Sequence, residues 1–207
     1  MSRDQIEFID IGGSKGGSFL HVQKKFGYSN GLAVDIDPSK VKQSLKRGVP
    51  MICLDASNMK IFSDNASKMV TMIHFLEHLP SLSIVRKILF QACRVAQERV
   101  YIRGPMFYDS YLKSFGLRFN WAHWTGHTCH VEENEIINFM KEFGQTNYVL
   151  KYHGRVKDSK NSSILPRTAP IDSFDYNPKK HGKKPYKIFD KPIYKEFELL
   201  YVLPQNT

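Results

Sequence analysis

Apolar runs and helical periodicity alternate from the start of the chain. The first run, Ile6 to Ile11, has the length and composition of a buried strand. Beyond it, Phe19, Val22 and Phe26 recur at helical spacing, which predicts a helix beginning near Gly16. The first unit is therefore predicted to be a strand, a glycine-rich turn and a helix.

The second unit repeats this order between residues 31 and 48. Residues 32–36 read as a buried strand that contains an acid, Asp35. Asp37 is placed to cap a helix and Pro38 to occupy its first turn. Val41 and Leu45 are predicted to face the core from this helix. In a doubly wound sheet, Asp35 would then lie at the carboxyl end of the strand beside the first.

Three more apolar runs, residues 50–54, 68–73 and 98–103, predict further strands, with a helix from about residue 81 to 95 between the last two. Strands that alternate with helices form a parallel sheet with helices on both faces. Ligands bind at the carboxyl ends of such strands. We therefore expect one crevice to collect the polar residues that follow the strands, namely Asp10, Asp35, Asp55 and His74.

The C-terminal third predicts a helix over residues 132–143, a sixth strand around 148–150 and a last strand over 193–203. Two strands joined without a helix form an antiparallel pair. The predicted fold class is α/β: a doubly wound, mostly parallel seven-stranded sheet with an antiparallel last strand. A second βαβ half, which a dinucleotide-dependent dehydrogenase would need, has no chain left to form it.

We expect one domain over residues 1–207, with a basic loop or lid at 155–191 inserted between the last two strands. This segment has little helical or strand periodicity and holds five clustered lysines: Lys179, Lys180, Lys183, Lys184 and Lys187. Such a long stretch is typical of a functional lid or a disordered excursion. It is interpreted either as a solvated flexible loop or as a basic arm that holds an anionic substrate, nucleic acid or another chain.

Composition narrows the class of protein. A net charge of +10 favours anionic partners. Three scattered cysteines suit free thiols in a reducing compartment. No apolar run approaches the roughly 18 residues of a membrane span, and the N-terminus has no signal-peptide pattern. We expect a cytoplasmic protein without a membrane partner; its oligomeric state is left open.

The glycine-rich turn is the strongest local signal for a ligand. Glycines let backbone approach a ligand closely, and the following helix directs free N–H groups at an anionic group. The dinucleotide fingerprint G-x-G-x-x-G fits at Gly12 and Gly17 but meets Ser14 at its middle glycine. The pattern Asp-x-Gly-x-Gly-x-Gly fits at Asp10, Gly12 and Gly16, again with Ser14 in place of glycine. The loop alone does not decide between these two patterns, and it is also compatible with a glycine-rich turn that binds no cofactor.

Four segments in order carry a family resemblance over roughly residues 5–149. They are Asp10-Ile-Gly-Gly-Ser-Lys-Gly16, Val34-Asp-Ile-Asp-Pro38, Leu54-Asp-Ala56 and His74-Phe-Leu-Glu-His-Leu-Pro80. With these the chain resembles a class I, Rossmann-like methyltransferase dependent on S-adenosylmethionine (SAM), of the small-molecule group. The resemblance implies SAM as cofactor and a cofactor site made of Asp10, Gly12, Gly13, Ser14, Gly16, Asp35, Ile36, Asp55, Ala56, His74 and Phe75. The loop would hold the methionine end, Asp35 the ribose, Asp55 and Ala56 the adenine, and His74 with Phe75 the floor near the methyl group.

The aromatic-rich segment from residue 107 to 124 leads into His123, His127, Cys129 and His130. In the family this region covers the substrate. Histidine suits proton transfer near neutral pH, so His127 and His130 are the candidate catalytic residues. Packing or helix entry is the competing interpretation. A zinc site is considered, but no second pair of ligands at loop spacing follows, and no metal is predicted.

The sequence thus predicts a SAM-dependent methyltransferase acting on a small-molecule or glycan acceptor, which the charge suggests is anionic. One alternative is an RNA or nucleic-acid methyltransferase that uses the lysine-rich arm. The other is a methyltransferase-like binding module without turnover.

Overall fold

The computed structural model describes residues 6–204. The N-terminal segment assessed for a signal peptide, residues 1–5, lies outside the described residues. The strands are β1 (Ile6–Ile11), β2 (Gly31–Asp35), β3 (Met51–Cys53), β4 (Ser67–Ile73), β5 (Ala96–Pro105), β6 (Leu117–Phe119), β7 (Tyr148–Asp158), β8 (Ile164–Pro166) and β9 (Ile188–Val202). The helices are α1 (Gly17–Phe26), α2 (Pro38–Lys46), α3 (Leu82–Val95), α4 (Asp109–Lys113), α5 (Glu133–Glu142) and α6 (Pro178–His181), with 3-10 turns at Leu76–His78 and Asn120–His123.

Seven strands form the main sheet in the order β3-β2-β1-β4-β5-β9-β7. The pairs from β3 to β5 are parallel, whereas β9 runs antiparallel to both β5 and β7. The order reverses between β1 and β4, so their carboxyl ends form the crevice in which doubly wound sheets bind ligands. The predicted fold class is confirmed, including the antiparallel last strand.

Helices cover both faces of the sheet because its central strands carry apolar side chains on both sides. Phe8 of β1 packs on Phe19 of α1 with ring centroids 4.7 Å apart. On the other face, α3 buries Val85, Ile88, Leu89, Ala92 and Val95. The prediction that Leu45 faces the core was wrong, since its side chain is 53% exposed. Helix α2 buries Val41, as predicted, together with Ser44. Ser44 is small enough to let Gly16 approach it closely.

The segment 155–191 has more regular structure than its composition predicts. β7 continues to Asp158 and β9 begins at Ile188, so both strands extend into it. Between them, β8 pairs antiparallel with β6 in a small second sheet. Lys184 is a structural part of the segment: its Nζ donates to the carbonyl oxygens of Asn161 (3.1 Å) and Ile164 (2.8 Å). The predicted bounds of this loop, residues 155 and 191, therefore lie inside β7 and β9.

A buried arginine joins this segment to the aromatic one. Arg118 is 3% exposed, and its guanidinium donates to the carbonyl oxygens of Phe119, Asn120, Ala169 and Pro170 at 2.9–3.1 Å. No helix among residues 6–204 is long and apolar enough to cross a membrane.

Candidate functional site

The first of two neighbouring cavities, of about 550 Å³, opens at the carboxyl ends of β1, β2 and β4. That volume lies in the range of small-molecule sites, roughly 300–1,000 Å³. Eight of the predicted cofactor residues line it, namely Gly12, Ser14, Asp35, Ile36, Asp55, Ala56, His74 and Phe75. The fold thus brings together residues from four separate segments of the sequence.

The turn after β1 has the shape that its glycines allow. Gly12 has a φ of +72°, and a Cβ there would lie 2.2 Å from the ring of Phe75, so only glycine fits. Ser14 also adopts a left-handed conformation, with a φ of 49°, and its N–H donates to Asp35 Oδ2 at 2.9 Å. The serine therefore takes the conformation that glycine adopts more readily, and the loop keeps its contact with β2.

Gly13, Gly16 and Asp10 lie behind this turn, outside the lining of the cavity. A Cβ on Gly13 would come within 2.7 Å of Met51, and one on Gly16 within 2.9 Å of Val49. These glycines let the turn pack closely against the sheet and α2.

Asp10 is fully buried. Its carboxylate accepts hydrogen bonds from Ser18 Oγ (2.5 Å) and Thr71 Oγ1 (2.7 Å). Burial raises the pKa of Asp10 to about 6, although both hydroxyls oppose that shift. This arrangement ties β1 to β4 and to the first turn of α1.

Asp35 is held by backbone N–H groups at the end of β2. Its Oδ1 accepts from Asp37 N at 3.0 Å and its Oδ2 from Ser14 N at 2.9 Å. Each carboxylate oxygen has a further lone pair, and the residue lines the cavity. The side chain of the neighbouring Asp37 instead caps α2 by accepting from Ser39 N at 2.8 Å. Asp35 thus lines the cavity, whereas Asp37 caps the helix.

His74 follows β4 in a left-handed conformation, with a φ of 49°. Its ring nitrogens lie 3.4 Å from Glu77 and 3.4 Å from Glu196. Hydrogen bonding to Glu196, and then to Glu77, raises the pKa of His74 to about 9. Glu196 is also bound by Arg103, and its pKa falls to about 2, with the bond to His74 as the main cause. His74 is therefore an imidazolium at neutral pH and is already protonated.

The second cavity, of about 620 Å³, adjoins the first, and His74 and His78 line both. Its walls combine aromatic side chains with a few polar ones: Trp121, Trp124, Phe174, Asp172, Lys195 and Glu196. Sequence reasoning pointed to the aromatic segment but did not single out Asp172, Phe174 or Lys195. Nothing in their local sequence marks them, since they come from distant segments that packing brings together.

The two candidate catalytic histidines have different surroundings. His127 lines the second cavity, and burial lowers its pKa. His130 is not among the lining residues: it stacks on Phe107 with centroids 4.1 Å apart, and its Nδ1 lies 2.5 Å from Asp109 Oδ2. The geometry thus favours His127 over His130 for contact with an acceptor, and both catalytic roles stay predictions.

Comparison with known proteins gives one family match. Residues 9–102 match the family model described as a methyltransferase domain. No curated protein matches the chain by sequence.

Solved structures extend the likeness to the whole fold. A SAM-dependent methyltransferase from Archaeoglobus fulgidus is 16% identical, with a TM-score of 0.67 over 97% of this chain and 87% of that one. One from Methanosarcina mazei is 15% identical, with a TM-score of 0.60 over 99% and 95%. Phosphoethanolamine N-methyltransferase 2 of Haemonchus contortus, in complex with SAM, is 16% identical, with a TM-score of 0.53 over 71% of this chain and 34% of that one.

Proposed function

We propose that this chain, a class I SAM-dependent methyltransferase, transfers the methyl group to a small-molecule or glycan acceptor that occupies the second cavity. The observation that carries the proposal is the junction of the two cavities at His74 and His78. A cofactor in the first cavity and an acceptor in the second would meet there.

The residues of the first cavity suit SAM in size and in polarity. Asp35 retains lone pairs for the ribose hydroxyls, and Asp55 with Ala56 lies on the next strand end, where an adenine would reach. The turn at Gly12 and Ser14 leaves backbone accessible for the methionine end. In this arrangement Asp10, Gly13 and Gly16 support the loop rather than touch the cofactor.

Methyl transfer needs positioning more than it needs a catalytic side chain. SAM supplies a methyl group on a positively charged sulfur, which an acceptor displaces by in-line attack. Holding two reactants in line accounts for much of such a rate enhancement. Here the aromatic walls would exclude water and orient the acceptor. Since His74 is already protonated, it would act as a hydrogen-bond donor and not as a base.

The composition of the second cavity favours an acceptor with both apolar faces and hydroxyl groups. Trp121, Trp124 and Phe174 offer flat apolar surfaces, while Asp172 and Lys195 offer hydrogen bonds at the rim. A sugar ring or a hydroxylated aromatic molecule has this mixed character. We favour these over a nucleic acid.

The nucleic-acid alternative is supported only by exposed lysines. Lys179, Lys180 and Lys183 are exposed, whereas Lys184 is engaged with backbone carbonyls. Phosphate contacts release counterions, so binding to RNA through this arm would fall steeply as salt rises. A filter-binding series across salt tests it, and weak binding without salt dependence would remove this alternative.

Calorimetric titration with SAM, its demethylated product and NAD tests the cofactor. Mass spectrometry of a cell extract incubated with methyl-labelled SAM and the protein then tests for an acceptor. We expect SAM and its product to bind, NAD not to bind, and one labelled small molecule or glycan to appear. Binding of NAD with no response to SAM would refute the proposal. SAM binding with no labelled product in any extract would favour a binding module.

A further inference from the structure

We propose that Glu77, His78 and His127 bind a divalent transition-metal ion where the two cavities meet. Each offers one ligand atom, and these atoms all lie within 4.8 Å of one another. The three residues line the second cavity. Two imidazoles and one carboxylate on one side of an ion leave its remaining positions open to a ligand.

Glu77 is a buried carboxylate whose contact with a cation is long. It is 1% exposed, and its Oε1 makes no hydrogen bond of ordinary geometry. The imidazolium of His74 is its ion-pair partner, with Nδ1 at 3.4 Å from Oε1, which is longer than an ordinary hydrogen bond. A buried charge is costly unless it is paired or coordinates a metal. A metal ion bound to this carboxylate would be a closer partner than His74 is.

His78 is oriented as a metal-ligating histidine is. Its Nδ1 lies 2.7 Å from the carbonyl oxygen of Gly126. A carbonyl can only accept, so Nδ1 carries the proton and the lone pair of the neutral ring is on Nε2. Metal-bound histidines almost always donate their other N–H to such an acceptor, which fixes the tautomer.

His127 supplies the second unused nitrogen. Its Nδ1 is buried and has no hydrogen-bond partner. Its ring centroid lies 4.9 Å from that of His78, at 74° between the planes. Glu77 and His127, each with a buried side-chain atom outside ordinary hydrogen bonding, thus lie beside His78, whose ring is oriented by a backbone carbonyl.

Hydrogen bonds to backbone carbonyls hold these two distant segments together. Cys129 N donates to the carbonyl oxygen of Glu77 at 3.0 Å, and Thr128 Oγ1 donates to that of Leu79 at 2.8 Å. The ligands are therefore brought together before any ion binds. Ligands at about 2.0–2.2 Å from one ion lie closer together than 4.8 Å, so the side chains would close by rotation.

The donor set indicates the class of ion. Imidazole ligands suit zinc, copper, iron and nickel, whereas magnesium, calcium and manganese prefer oxygen ligands. The chemical role, unlike the binding itself, rests on the proposed methyl transfer. An acceptor hydroxyl bound to the ion would have a lowered pKa and release its proton to solvent. Its oxygen then bonds to the methyl carbon, while the carbon–sulfur bond breaks and its electron pair returns to sulfur.

This site would also change the role of His127. Its Nδ1 lone pair would hold the ion and would not accept the acceptor's proton. It also differs from the zinc site considered from the sequence, because Cys129 and His130 take no part in it.

The test is metal binding by the full chain, measured without acceptor. The metal-stripped protein is titrated with Co²⁺, with the visible absorption of the bound ion as readout, and then with competing Zn²⁺. We expect one equivalent to bind and the melting temperature to rise with the ion. Glu77→Gln and His127→Gln should each weaken binding by at least about 10-fold. His130→Gln is the matched control and should bind as the unmodified chain does.

Several outcomes would overturn the site. They are no saturable Co²⁺ or Zn²⁺ binding by the folded chain, unchanged binding in both ligand variants, or loss of binding in His130→Gln. If Glu77→Gln fails to fold, the double change of His78 and His127 to Gln decides instead. SAM affinity is measured on the same samples, so a chain that binds metal but not SAM would refute the proposed function and keep the site.

Discussion

Replacing Asp35 by Asn tests the cofactor site with little change of volume. The wild-type carboxylate accepts the N–H groups of Ser14 and Asp37 through different oxygens. The amide of asparagine has one oxygen that can accept from one of these N–H groups. Its NH₂ group then faces the other N–H group, so two donors meet there. The variant would therefore lose a charge-assisted bond to the loop as well as acceptors for the ribose.

The magnitude follows from the kind of bond removed. A hydrogen bond to a charged group contributes about 1.5–3 kcal/mol. If Asp35 holds the ribose, SAM affinity should fall by that amount, which is about 10- to 150-fold in the dissociation constant. Asp35→Ala should give a loss in the same range.

Calorimetry with SAM measures this effect, and Asp37→Asn is the matched control two residues away. Asp37 caps α2 through Ser39 N and does not line the cavity. Asparagine caps helices about as well as aspartate. The control should therefore keep both the melting temperature and the SAM affinity.

Unchanged SAM affinity in Asp35→Asn, with the fold intact, would refute the ribose assignment. Equal losses in both variants would mean that the affinity reflects stability of the β2–α2 turn and not contact with the cofactor.

Three further predictions concern the turn after β1, the buried aspartate behind it and the second cavity. Gly12→Ala should destabilise the protein and abolish SAM binding, since its Cβ would lie 2.2 Å from Phe75; thermal melting and calorimetry measure both. Asp10 holds its proton more tightly in the folded state, at a pKa of about 6 against 3.8, so its contribution to stability falls as pH rises between those values, by up to about 3 kcal/mol. Asp10→Asn should remove that fall in urea unfolding across this range, and an unaltered pH profile would contradict it. Once an acceptor is known, His127→Ala should lower the rate by about 100-fold or more with SAM affinity kept, while His130→Ala should not; full rate in both would leave the pair as packing residues.

The sheet and the first cavity could be predicted because the residues that form them are marked by patterns in short, continuous segments of the sequence. Each parallel strand contains a short apolar run, and each predicted cofactor residue lies at the end of a strand or within a few positions after it. The reversal of strand order after β1 then brings those strand ends together. Ser14 replaces a glycine of the motif without changing the shape of the turn, because the serine adopts the left-handed conformation.

The second cavity could not be predicted in the same way. Its walls come from the turn after β4, the segment around Trp121 and Trp124, residues 172–174 and β9. No periodicity relates these segments, and their contacts depend on the side chains that pack between them. The basic composition of residues 155–191 suggested a mobile arm. Nothing in the sequence distinguishes Lys184, which donates to backbone carbonyls, from the exposed lysines around it.

The wall of the second cavity is a cross-linked structure built around Arg118. That guanidinium binds carbonyls on both sides of the wall, Asn120 on one and Pro170 on the other. Trp124 Nε1 also donates to the carbonyl oxygen of Ser173 at 3.0 Å. Breaking these contacts would leave the buried guanidinium of Arg118 without its four carbonyl acceptors, which costs much free energy. The segment around Asn120 and the segment around Pro170 are therefore held together as one unit. Changes of side chain on this unit would alter the shape of the second cavity and leave the strand ends that form the first cavity as they are.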